Sequence, residues 1–124
     1  MRKGKFLLLA LMIPGMIFLL SCGDRELRKD TQPVADAMCR NIEIMNQLRN
    51  ANPADTAGIR ILQENERKVQ IEMTVIYNEF KTKYKDKMND ASFNKKFATE
   101  LRKAMLNCPY LSKEDRDTFE KEID

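Results

Sequence analysis

Residues 55–88 read DTAGIRILQENERKVQIEMTVIYNEFKTKYKDKM. Ile59, Leu62, Glu66, Val69, Met73, Ile76 and Phe80 alternate steps of three and four, and Tyr84 and Met88 continue the line. That spacing is one face of an α-helix. No proline interrupts it, and its one glycine, Gly58, falls in the first turn. Asp55 or Thr56 can cap the start. The pattern predicts a helix over about 56–88, near 48 Å long at the α-helical rise, the central element of the fold. Lys81, Lys83, Lys85 and Lys87 crowd its last turns, where cations suit the negative end of the helix dipole.

Shorter stripes flank it. Val34, Met38, Ile42, Met45 and Leu48 share one helical face after Pro33, which suits a first turn. They predict a helix over about 33–50, ended by Asn50–Pro53. After Asn89 and Asp90, Phe93, Phe97, Leu101 and Met105 recur every four residues and predict a helix over about 91–107, stopped by Pro109. Ser112 with Asp115 resembles a capping box, opening a short acidic helix over about 113–122. The expected class is all-α: a long central helix, two shorter helices packed back on it and a short C-terminal helix.

These lengths place two cysteines. Short connections make the first helix antiparallel to the N-terminal half of the long one, and send the third back along its C-terminal half. Measured from the far end of the long helix, Cys39 lies near 30 Å and Cys108 near 26 Å. A disulfide needs Cα atoms roughly 4.4–6.8 Å apart, so a Cys39–Cys108 bond is expected. The competing arrangement is two free buried thiols. Closing a loop of about 70 residues contributes roughly 4 kcal/mol in the chain-entropy model, useful where three helices make a thin core.

The beginning of the chain has a different logic. Arg2, Lys3 and Lys5 precede an uncharged run, Phe6 to Leu20, broken by Pro14-Gly15. A basic start, a short apolar stretch and a small residue are the plan of a signal peptide. About fifteen residues are too few to span a bilayer, which needs roughly 20. Leu19-Leu20-Ser21-Cys22 resembles the lipobox of bacterial lipoproteins. The resemblance covers residues 1–22 and implies cleavage between Ser21 and Cys22, a diacylglycerol on the Cys22 thiol and an acyl group on its new amino terminus. It implies a lipid-anchored protein of the bacterial envelope. Gly23, in place of the aspartate that retains enteric lipoproteins in the inner membrane, favours the outer membrane, on its periplasmic face or at the cell surface. Asp24 and Glu26 resemble the acidic residues after the cysteine of some surface-exported lipoproteins; a solvated tether explains them equally well. The domain reading is therefore residues 1–21 as signal, 22–32 as lipidated cysteine and flexible tether with a reach of roughly 33 Å, and 33–124 as helical domain.

Without Arg2, Lys3 and Lys5, 19 basic and 19 acidic side chains remain, so net charge gives no argument for nucleic acid. The chain has no histidine, which removes Ser-His and Cys-His pairs, histidine bases and most zinc sites. After Cys22 only Gly23 and Gly58 are glycines, so no phosphate-cradling loop is present. No enzyme, metal or cofactor is expected beyond the lipid on Cys22. Glu66 stands on the apolar seam of the long helix. A carboxylate there could be a raised-pKa acid or a ligand, but pairing with Arg40 or Arg49 is the plainer reading. Met38, Met45, Met73, Met88 and Met105 lie on the apolar stripes and read as packing. Lys81, Lys83, Lys85 and Lys87 belong to a segment, 81–103, with eight basic and three acidic residues, whereas 113–124 is net negative by three. The two could neutralise one another, or the basic one could touch anionic lipid or polysaccharide.

The functional expectation is a lipid-anchored helical envelope protein acting as a binding or structural module, with a protein partner and with the uncovered flank of the long helix offering a homodimer contact. The alternative is a chaperone-like or stress-sensing helical lipoprotein, which a concave apolar patch would favour.

Overall fold

The computed structural model describes the backbone of residues 2–123 and the side chains of residues 24–123. Helix α1 spans Arg2–Asn50, α2 Thr56–Lys83, α3 Ala91–Met105 and α4 Lys113–Ile123, with a 3₁₀ turn at Lys85–Lys87. The class is all-α as expected: a long helix, two helices packed together with it and a short C-terminal helix.

The connections follow from their residues. Asn52 accepts from the Ala54 N–H through its side chain and from the Asp55 N–H through its carbonyl, at 3.0 and 2.9 Å. Asp55 caps α2 by accepting from the Gly58 N–H at 3.0 Å. A Cβ at residue 58 would meet that carboxylate, which would have to shift to make room. Helix α2 ends at Lys83 rather than at 88. The Lys87 and Asp90 N–H groups bond to the carbonyls three residues back, at Tyr84 and Lys87. This tighter winding lets Met88 pack on the core as the chain reverses. Asp90 caps α3 through the Ser92 and Phe93 N–H groups, and the Ser112 hydroxyl caps α4 through the Asp115 N–H at 3.1 Å.

Residues 24–32 correct the tether expectation. They are helical and part of the core. Leu27 is 5 % exposed and Thr31 fully buried; the Thr31 hydroxyl donates to the Leu27 carbonyl at 2.6 Å. Leu27 joins Val34, Phe80 and Phe93 in one cluster, with Ile76, Tyr84 and Met88 around it. Pro33 therefore sits inside a helix instead of opening one. Its missing N–H and ring clash cost about 3 kcal/mol, offset by Leu27 burial and by polar contacts from this segment to α2 and α3.

A second cluster, Ala35, Met105, Cys108 and Leu111 with Ile42, Leu106 and Phe119 at its edge, joins α1, α3 and α4. The helix between the other two is α1 rather than α2: α3 packs mainly on α1. It meets α2 through aromatic rings, with Phe97 4.4 Å from Phe80 and Phe93 5.1 Å from Tyr84 between centroids. Cys39 and Cys108 form the expected disulfide, their Cα atoms 5.7 Å apart. Ile42 still packs on the second cluster and the Asn46 amide donates to the Tyr110 carbonyl at 3.3 Å; beyond them α1 and α2 continue as a two-helix arm, and no residue from Arg40 to Lys68 is buried.

Candidate functional site

Because α2 and α3 both lie on α1 but touch each other only at one end, a groove opens between them. Its volume is about 490 Å³, within the roughly 300–1,000 Å³ range of small-ligand sites. Val34, Ala37 and Met38 of α1 form the floor, Met73 and Tyr77 of α2 one wall, and Phe97 and Leu101 of α3 the other. Thr74, Asn78 and Lys81 supply its polar rim. The Lys81 ammonium lies 5.0 Å from the centroid of the exposed Tyr77 ring, within cation–π range. Among the described residues it has no carboxylate partner. An apolar trough with one cation at its lip can hold an apolar chain ending in a negative charge.

The groove was not read from the sequence. Thr74, Tyr77, Asn78 and Lys81 do recur at helical spacing beside the seam, but three of the four are polar, and nothing along the chain says that α3 stands away from α2.

The residues singled out by sequence separate in space. Ser21 and Cys22 lie outside the residues whose side chains are described. Glu66 is half-buried and accepts from the Gln70 amide at 3.2 Å; it pairs with neither Arg40 nor Arg49. Arg40 reaches Glu72 instead, at 2.6 Å, one helical turn or more further along α2. The four lysines split three ways. Lys81 faces the groove. Lys83 bridges Glu26 and Asp30 at 2.8 and 2.7 Å. Lys85 and Lys87 are exposed on the 3₁₀ turn.

Lys83, Asp30 and Tyr84 form a tie between α1 and the end of α2, with the Tyr84 hydroxyl donating to Asp30 at 2.6 Å. Burial raises the Asp30 carboxyl, but hydrogen bonds from Lys83 and Tyr84 and the lysine charge outweigh it and hold the group below its ordinary 3.8. Lys83 is raised by its hydrogen bonds to Asp30 and Glu26. Burial, and then the bond to Asp30, raises the Tyr84 phenol above its ordinary 10.0. The signs bracket the tie. The Asp30 contribution is present above pH 3.8 and is lost as pH falls through the depressed folded value. Those of Lys83 and Tyr84 are present below 10.5 and 10.0 respectively, and are lost as pH rises through the raised folded values. A ¹³C-NMR titration of the Tyr84 ring in the native protein is expected to show a midpoint above 10.0, lowered in Asp30→Asn. A Tyr84 midpoint that Asp30→Asn leaves unmoved would show the bond to be idle.

Arg116, not singled out in the sequence, closes the end of α3. Its guanidinium donates to the Leu106 and Cys108 carbonyls at 2.6 and 2.9 Å, fixing α4 next to the disulfide. Among the described residues no group of three or more acidic, cysteine or histidine side chains could hold a metal ion, and no helix is long and apolar enough to cross a membrane. Comparison with protein-family models, with curated proteins and with solved structures yields no match.

Proposed function

We propose that this chain is a lipid-anchored binding module of the bacterial envelope, held at the outer membrane through Cys22, whose binding element is the α1–α2–α3 groove. The lipobox-like Leu19-Leu20-Ser21-Cys22 supports the anchor, and a disulfide-stapled domain suits an oxidising compartment. The observation that carries the binding reading is the groove: an apolar trough of ligand size with Lys81 at its lip. Its occupant on this reading is a small anionic amphiphile, with an apolar body on Met38, Met73 and Leu101 and its charge at Lys81.

The fluorescent anion 1-anilinonaphthalene-8-sulfonate tests this on the oxidised, folded protein. Saturable binding is expected, displaced by dodecanoate. Thr74→Trp, which fills the groove from an exposed position, is expected to abolish it. Lys81→Glu is expected to weaken it about tenfold, equivalent to about 1.4 kcal/mol. Binding that neither variant alters would remove the groove as the site. A second, chaperone-like reading draws on the same concavity together with exposed Ile61, Ile71 and Val75. It differs in one result: apolar client segments would need the groove but not Lys81, so Thr74→Trp alone would have an effect.

A further inference from the structure

The continuity of α1 from Asp24 changes where the domain stands. Cys22 is two residues before Asp24, at most about 7 Å of chain, and five before the buried Leu27. A protein anchored at Cys22 therefore has no free tether, and one end of its helical domain lies at the bilayer surface. That end is identifiable. Lys83 meets Glu26 and Asp30, and Phe93 shares a cluster with Leu27. The end of α2, the 3₁₀ turn and the start of α3 thus surround the beginning of the described part of α1. Lys95 and Lys96 border one shallow cleft with Asp24 and Leu27.

The charges at this end are uneven. Residues 24–30 and 83–96 carry eight basic and five acidic side chains. Of the five acids, Glu26 and Asp30 are already occupied by Lys83 and Asp90 caps α3, while Asp24 and Asp86 are exposed and make no ion pair among the described residues. On the basic side only Arg28 and Lys83 are engaged. Arg25, Lys29, Lys85, Lys87, Lys95 and Lys96 are exposed and make no ion pair among the described residues. The acidic α4 does not neutralise them. It meets α3 at the opposite end, through Arg102 and Glu122 at 2.8 Å.

We propose that Lys85, Lys87, Lys95 and Lys96 form a membrane-facing surface that binds anionic lipid headgroups beside the anchor. The orientation rests on the lipid-anchor reading; the charge surface stands on the fold. A basic cluster next to a lipid anchor is attracted to an anionic leaflet within a Debye length. The surface would hold the domain upright, with the two-helix arm pointing away.

Lysine footprinting by amine acylation and mass spectrometry tests this. The full chain is produced in a bacterial host and reconstituted into phosphatidylglycerol-rich or phosphatidylcholine vesicles. On the anionic vesicles Lys85, Lys87, Lys95 and Lys96 are expected to lose reactivity about fivefold each, and to regain it at high salt, while Lys68 and Lys113 stay unchanged. Equal reactivity of the four on both vesicles, with Cys22 carrying its diacylglycerol, would overturn the surface. The same spectra weigh the Cys22 peptide. A bare cysteine there would sink the anchor reading by itself, and salt-sensitive protection of the four lysines would still uphold the charge surface.

Discussion

Replacing Cys39 and Cys108 together by alanine is expected to lower the unfolding free energy by about 4 kcal/mol, a fall of roughly 15–30 °C in Tm for a domain of this size. The bond spans 69 residues of sequence. It ties α1 to the residue just beyond α3, where Cys108 is 4 % exposed among Ala35, Met105 and Leu111. Among the described residues no other disulfide holds α3 and α4 against α1, and the aromatic contacts to α2 lie at the other end. Alanine leaves no buried hydroxyl, so the loss measures the tie more than a new polar defect. Urea titrations of the oxidised protein, the reduced protein and the double variant check this. Coincident midpoints for all three would mean that the helices hold their register without the bond.

Leu27→Ala is expected to destabilise the protein by about 3 kcal/mol, as a buried leucine truncated to a methyl does when its surroundings cannot collapse. Leu27 is buried in one cluster with Val34, Phe80 and Phe93, so a cavity would remain. A leucine in a flexible tether would cost nothing measurable, which makes this substitution decisive between the two descriptions of residues 24–32. Asp24→Ala, exposed on the same segment, serves as the control and is expected to change stability by no more than about 0.5 kcal/mol. A Leu27→Ala midpoint equal to that of the control would return residues 24–32 to the role of linker.

Leu27 shows why part of the fold stayed out of reach in the sequence. Leu27, Thr31, Val34 and Met38 follow steps of four, three and four, so the α1 stripe does continue upstream. Two local rules hide it. Thr31 is polar and breaks the apolar count, although its hydroxyl is satisfied by the Leu27 carbonyl within the helix. Pro33 looks like a first-turn residue, the commonest use of proline in helices. Tertiary contacts overrode both: Arg28 to Glu100, and Asp30 to Lys83 and Tyr84. Contacts between residues more than fifty positions apart leave no local signal. The lysine cluster behaved the same way. Its existence is plain in the chain, but its division into a groove cation, a buttress of α1 and an exposed pair depends on where α2 ends and what stands opposite.

Unlike the end of α2 at Lys83, the helical class, the approximate positions of α2, α3 and α4 and the expectation of a Cys39–Cys108 bond are legible in the amino-acid sequence alone. Each depends on helical periodicity, on a capping side chain within three residues, or on helix lengths that convert residue counts into heights. The lipobox-like stretch likewise carries its expectation in four adjacent residues. The tertiary structure alone decided that α1 begins before Pro33, that α1 lies between α2 and α3, and that a groove therefore opens between them. These outcomes turn on which of several apolar flanks pack together, a choice made by the summed burial of Leu27, Phe80, Phe93 and Met105 in three dimensions and invisible in the period of any one helix.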